Sequence, residues 1–270
     1  AAHPPVVFNT GQVVFGLLAA WQVTGESAFL ESAVRAGGWL ARVQDADGAW
    51  RRHDYLGGVH AYNARTAWAL VELGTAVADR ALLDAATRHL DWVLTQQDED
   101  GWYRSCGFGP GDVPFLHTIA YTSQGLLEAG LRLGRSDYVA AAERTCRAVA
   151  RRVSPSGAIA GSFDRGWRPV GRSSCLTGNA QMAVQWLRLY ETTRDAEYRD
   201  VAVRALSWLK ALHDCDTRNP NVRGAVKGSH PIWGRYLFGT YPNWAVKFFM
   251  DALLLEERVV EGRKACIRCW

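Results

Sequence analysis

Trp39-Leu40-Ala41-Arg42-Val43-Gln44-Asp45-Ala46-Asp47-Gly48-Ala49-Trp50 returns, 53 residues later, as Trp92-Val93-Leu94-Thr95-Gln96-Gln97-Asp98-Glu99-Asp100-Gly101-Trp102. In both copies the Trp stands five residues before a Gln and nine before a Gly. A weaker copy runs from Val149 to Gly157 and keeps the glycine; a fourth, Ser207 to Asp214, keeps the tryptophan. Periodicity on this scale is the mark of a repeated helical hairpin. Trp39, Trp92 and Trp208 read as packing signatures, and each Asp-x-Asp-Gly reads as a turn.

Every copy has the same anatomy. A helix rich in small and apolar residues comes first, at 10–23, 63–76, 118–133 and 177–193. A short turn follows, carrying charge or Gly, as in Thr24-Gly25-Glu26-Ser27. An amphipathic helix comes next, at 27–44, 80–97, 137–153 and 196–213. In it apolar residues recur at threes and fours, as at Phe29, Ala33, Gly37, Leu40 and Val43. A fifth helix of the first type is expected at 242–258, with Pro242 at its start. The first type should be buried between neighbours and the second should face solvent. Inner and outer helices in alternation predict an all-α chain, an α/α toroid, as one domain over 1–260 with a tail at 261–270. A closed ring of six hairpins has twelve helices. The nine expected here leave the ring incomplete at the N-terminus, smaller, or completed by a partner chain.

Composition supports a large core and narrows the function classes. Of 270 residues, 48% are hydrophobic and 21% charged, with 12 Trp, 9 Tyr and 9 Phe, which excludes disorder. The net charge of +4 comes from 31 basic residues scattered among 27 acidic ones, so no nucleic-acid partner is expected. No apolar run is long enough to span a membrane. The N-terminus lacks both the basic flank of a signal peptide and a Met. A cytoplasmic location is expected, with a periplasmic or secreted one left open. The six cysteines are widely spaced and are expected to be reduced. Cys266 and Cys269 form a lone CxxC, weak as a zinc signal.

Long loops, 45–61, 98–116, 154–175 and 214–240, join outer helices back to inner ones and should carry the chemistry. They deliver His60, Tyr62, Asn63 and Arg65; His117 and Tyr121; Asn179 and Gln181; and Tyr241, Asn243 and Trp244 to the inner-helix starts. For any single Asn or Thr there, helix capping is the bland reading. Arg65 is harder to dismiss, because a buried guanidinium needs a partner. His60 and His117 hold equivalent repeat positions. A standard glycosidase needs two carboxylates, and the best loop acids are Asp54, Asp112 and Asp164. Asp164, with aromatics on both sides, is the first choice. The expected catalytic set is Asp164, His60, His117 and Tyr62. The expected substrate-binding set is Asn63, Arg65, Tyr121, Asn179, Gln181, Lys227, Tyr241 and Asn243, with Trp167, Trp233 and Trp244 as stacking platforms. Such a mouth suits hydrolysis or proton transfer beside a uronic carboxylate.

Six blocks carry a family resemblance: Phe8 to Gln12, His60 to Trp68, His117 to Thr122, Ser174 to Ala183, Lys227 to Gly234 and Tyr241 to Phe249. Together they resemble bacterial polysaccharide-biosynthesis proteins of the α/α-toroid type, described as prenyltransferase-like or six-hairpin-glycosidase-like. That resemblance implies an oligosaccharide or polysaccharide substrate, no cofactor, and an enzyme akin to unsaturated-glucuronyl hydrolases, polysaccharide lyases or sugar epimerases; a homo-oligomer is compatible with it. Two alternatives remain at this point. One is a zinc-dependent prenyltransferase- or cyclase-like toroid, with Cys106, Cys175, His117, His213, Asp214 and Cys215 as ligand candidates. The other is a non-catalytic glycan-binding toroid.

Overall fold

The computed structural model describes residues 5–260 and 262, so the Cys266–Cys269 pair lies outside the described residues. Nine α-helices occur among the described residues: α1 (Val7–Thr24), α2 (Ser27–Val43), α3 (Ala64–Ala76), α4 (Arg80–Thr95), α5 (Leu116–Leu133), α6 (Ser136–Ala150), α7 (Leu176–Thr193), α8 (Ala196–Leu212) and α9 (Asn243–Val259). All nine fall where the repeat places them. Among the described residues, strand is confined to β1 (Ser174–Cys175) and β2 (Ser229–His230), antiparallel, with Ser174 opposite His230. No helix among the described residues is long and apolar enough to cross a membrane.

The chain forms two compact units. One holds the residues up to Asp112 together with Tyr121–Arg144; the other holds Val113–Ala120 and the residues from Thr145 onward. In the first unit, α1 packs on α2 and α3 on α4, and the inner-type helices α1 and α3 pack on each other. In the second, α7 packs against both α8 and α9. The inner type is buried nearly all round: Ala64 through Val71 of α3 and Leu176 through Leu187 of α7 have no exposed residue. Aspartate side chains cap the starts of two outer helices, α4 and α8. Asp79 accepts from Ala81 N (2.8 Å) and Leu82 N (3.3 Å) before α4, and Asp195 accepts from Glu197 N (3.0 Å) before α8.

The repeated turn is one device used three times. Gly48 N donates to Asp45 O, Gly101 N to Asp98 O and Gly157 N to Ser154 O, each at 2.9 Å. The three glycines hold φ of 88°, 88° and 99°, a region costly for any residue with a Cβ. The conserved spacing from Trp to Gln has its own explanation within the first unit. Gln44 Nε2 donates to Ala85 O (2.8 Å), and Gln97 Nε2 donates to Ala141 O (2.7 Å), so each ties the end of one outer helix to the backbone of the next.

His89 completes the first of these turns. Its Nδ1 donates to Gly48 O (2.9 Å), and its ring lies between Trp50 and Trp92, 4.4 and 5.4 Å away. Full burial lowers its pKa from 6.5 to about 4. The fold therefore favours the neutral ring, and the unfolded chain binds the extra proton as pH falls below 6.5. That drop corresponds to about 3 kcal/mol of stability lost between pH 6.5 and 4. Thermal melts of the wild type and of His89→Leu across this window should show a steep acid slope in the first and a shallower one in the second. Equal slopes would contradict the assignment.

Candidate functional site

The loop after α2 brings an acid, an imidazole, a phenol and an amide together in the first unit. Asp54 Oδ1 accepts from Tyr55 N (2.8 Å), which starts a 3-10 turn over Tyr55–Gly57. Asp54 Oδ2 accepts from Asn63 Nδ2 (2.6 Å). Tyr55 O in turn accepts from His60 Nε2 at 2.8 Å, which assigns that ring proton. The His60 ring stacks on Tyr62, with centroids 4.5 Å apart and planes 11° from parallel. A Cβ on Gly58 would meet His60 Cε1 at 2.8 Å, so the loop backbone closes directly on the imidazole edge. Phe8 and Phe108 stand 5.5 and 6.2 Å from the Tyr62 ring.

This environment sets the proton affinities. Burial pushes the Asp54 carboxyl up to about 6, against the opposing pull of His60 and of the bonds from Tyr55 N and Asn63. The Tyr62 phenol is also raised, first by burial and then by Asp54, and stays neutral. Asn63 is wholly buried, and its Oδ1 has no hydrogen-bond partner. A half-buried acid with a pKa of about 6 holds its proton in weakly acidic solution and is able to give it up there.

Arg65 lies on α3 and is buried. Its Nε donates to Gln12 Oε1 and its Nη1 to Gln124 Oε1, both at 2.8 Å. Its guanidinium also sits 5.2–5.3 Å from the rings of Phe15, Trp68 and Tyr121. Amide oxygens and aromatic faces thus surround this buried cation. Tyr121 is buried as well, 4.9 Å from Phe8.

The second unit groups the other candidates. His117 Nδ1 donates to Gln181 Oε1 (2.9 Å), and the His117 ring lies 5.1 Å from Tyr236. Trp244 Nε1 donates to the Tyr236 hydroxyl (2.8 Å). Trp233 and Trp244 are 69% and 41% exposed, as stacking platforms require. Lys227 is half-buried and its charge helps to lower the His230 pKa, after burial. Tyr241 is half-buried and Asn243 is exposed at the first residue of α9.

Three expected residues have structural work instead. Asp164 accepts from Gly166 N (3.0 Å), Arg168 N (2.9 Å) and Arg168 Nε (2.8 Å), which closes a turn and lowers its pKa. Those bonds favour the carboxylate, the opposite of what a proton donor needs. Trp167 is 3% exposed, against Phe163 and beneath the Arg152 guanidinium, so it has no open face for a sugar. Asn179 clamps backbone: its Nδ2 donates to Cys175 O (2.9 Å) and its Oδ1 accepts from Ile159 N (3.3 Å). Tyr236 and Phe108 went unseen in the sequence, because neither lies in a repeated segment.

For metal, no group of three or more His, Cys, Asp or Glu among the described residues is placed to hold an ion. Burial pushes the Cys175 thiol up to about 12. Cys215 Sγ lies 3.4 Å from His213 Nδ1.

Comparison with known proteins bears on this architecture. The family model of the squalene-hopene cyclase C-terminal domain matches residues 5–128. Squalene–hopene cyclase of Zymomonas mobilis is 30% identical over 95 residues; the match covers 32% of this chain and 14% of that protein. Unsaturated glucuronyl hydrolase from Bacillus sp. GL1 is 18% identical with a TM-score of 0.75, over 93% of this chain and 74% of that one. A D-mannose isomerase gives 15%, 0.75, 95% and 72% in the same order. Cellobiose 2-epimerase from Bacillus thermoamylovorans gives 13%, 0.70, 93% and 71%. The fold is an α/α toroid.

Proposed function

We propose that the chain is a carbohydrate-active enzyme that works by acid–base chemistry on an oligosaccharide or a uronic-acid-containing glycan. The observation that carries the reading is the Asp54 cluster: a carboxyl raised to about 6, bonded to Asn63 and set beside His60 and the neutral Tyr62. Asp54 gives its proton to the departing or reacting sugar oxygen. Asn63, wholly buried, holds the Asp54 carboxyl in place, and Tyr62, buried as well, backs the His60 ring. His60, whose Nε2 is fixed by Tyr55 O, keeps Nδ1 as its base nitrogen when neutral. In the second unit, His117 with Gln181, Lys227, Tyr241 and Asn243 are proposed substrate contacts, and Trp233 and Trp244 proposed platforms. Asp164, Trp167 and Asn179 are left out because of the structural bonds they make. The fold neighbours that support this reading are named for sugar hydrolysis, isomerisation and epimerisation. A role in bacterial polysaccharide assembly is the finer reading that the sequence blocks suggest.

A second reading is favoured by the match to the cyclase domain model over residues 5–128. A protonated carboxyl near Tyr62, Phe8 and Phe108 also suits protonation of an apolar alkene, with aromatic faces steadying the cation. Mass spectrometry of products from a panel of neutral and acidic oligosaccharides, with a polyene included, separates the readings. Gain of one water per cleavage means hydrolysis. Ultraviolet absorbance of an unsaturated uronate without that gain means elimination. An isobaric product from the polyene alone means cyclisation and overturns the carbohydrate reading.

A further inference from the structure

The joint between α6 and α8 lacks a bond that the two earlier outer joints share. At the first, Arg88 Nη2 of α4 donates to Gln44 Oε1 (2.8 Å). At the second, Arg144 of α6 donates to Gln97 Oε1 from Nη2 (2.6 Å) and Nε (3.2 Å). Each arginine stands three residues after the alanine, Ala85 or Ala141, whose carbonyl accepts from the same glutamine. At both joints a guanidinium is thus matched by an amide oxygen.

At the third joint the arginine remains and the glutamine does not. Gly48 lies against the Arg88 carbonyl and Gly157 against the Arg204 carbonyl, so Arg204 is the counterpart of Arg88. Gln44 and Gln97 stand four residues before their glycines, and Val153 stands four before Gly157. Among the described residues, the Arg204 guanidinium has no hydrogen-bond or ion-pair partner, and neither has that of Arg151. Both line a cavity of about 360 Å³ between α6 and α8, wholly within the second unit. Arg147 lines it too, over the Tyr198 ring (5.3 Å) and 3.9 Å from Asp195. Tyr198 and Val201 form its apolar floor. Two acids reach the cavity. Asp200 is taken by Arg199 (2.7 Å), which leaves Glu197 to set against three guanidinium groups.

We propose that this cavity binds a phosphate group, free or as a small monoester, with Arg204 and Arg151 donating to its oxygens and Arg147 adding charge. A guanidinium presents a fork of N–H donors that matches phosphate oxygens, and a charge near −2 suits more than one cation. A phosphate oxygen takes the place on Arg204 that the glutamine oxygen holds on Arg88 and Arg144. The volume leaves room for the organic part of a monoester over Tyr198 and Val201. The site lies on outer helices and does not rest on the chemistry proposed at Asp54.

Isothermal titration calorimetry in low salt, at about pH 7.5 where phosphate is mostly the dianion, tests it with inorganic phosphate and glycerol 3-phosphate. Phosphate should bind with a Kd of about 1 mM. Tighter binding of glycerol 3-phosphate assigns the site to a monoester, and equal or weaker binding assigns it to the free ion. Arg204→Gln and Arg151→Gln should each weaken binding about tenfold or more, since each removes a charge-assisted bond. Both side chains are exposed, so melting temperatures should match the wild type's. Arg35→Gln, which removes an exposed charge on α2, should leave binding unchanged. Val153→Gln restores the amide of the earlier joints, so it should compete for Arg204 and weaken binding while the fold is kept. No heat of binding up to about 20 mM of either probe overturns the proposal. So does binding that survives Arg204→Gln and Arg151→Gln, that survives Val153→Gln, or that Arg35→Gln weakens as much.

Discussion

Asp54→Asn should lower turnover by about a hundredfold or more, the usual scale for removing a positioned general acid, and the folded protein should survive. An amide in that position can still accept from Tyr55 N or face Asn63, but it has no acidic proton to give. Stability is expected to move the other way. Folding raises the Asp54 pKa from 3.8 to about 6, so the native state favours the protonated acid. The stability tied to that proton is complete below pH 3.8 and is lost as pH rises through about 6. Above pH 6 the wild type holds a carboxylate where burial disfavours it. Because Asp54 is only half-buried, solvent screening reduces the penalty to about 1 kcal/mol. Asp54→Asn should therefore melt at or above the wild-type temperature at pH 7.5 while its activity is lost. A variant that keeps wild-type turnover would remove Asp54 from the mechanism.

Gly48→Ala should destabilise the chain by about 3 kcal/mol or more. Two effects combine. The residue sits at φ 88°, where a Cβ costs about 1 kcal/mol on its own. The added carbon would also overlap the Arg88 carbonyl on α4, a backbone atom that cannot rotate away. The melting temperature should fall by about 6–12 °C for a chain of this size. Gly111→Ala is the matched control, since Gly111 has φ 77° and open space around it, and only the conformational cost applies. If the two variants melt together, the close approach of the turn to α4 does not matter. Gly157, whose Cβ would overlap the Arg204 carbonyl on α8, should behave like Gly48.

The helices were legible in the sequence because two signals agreed. The period of threes and fours marked each helix, and the recurring Trp, Gln and Gly marked each joint. The structure supplies the reason two of those types recur: Gln44 and Gln97 bond the next outer helix, and Gly48, Gly101 and Gly157 take a backbone conformation that other residues resist. The site was legible only in part. Composition and repeat position brought out His60, Tyr62, Asn63 and Arg65, and these do sit together around α3. Choosing between Asp54 and Asp164 needed geometry. Flanking aromatics favoured Asp164, yet the short spacing Asp-x-Gly-x-Arg lets that carboxylate close its own turn with Gly166 and Arg168. Nothing in the sequence showed that Asp54 would reach Asn63, nine residues on. Tyr236 was hidden for a similar reason, since its partners His117 and Trp244 lie in different blocks.

The measurement that bears most directly on the central claim is the pH dependence of kcat/KM, from pH 4 to 8, for whichever oligosaccharide gives product with the free enzyme. If Asp54 is the proton donor, kcat/KM should fall about tenfold per pH unit above about 6. A profile that stays flat or rises from pH 6 to 8 would contradict the account.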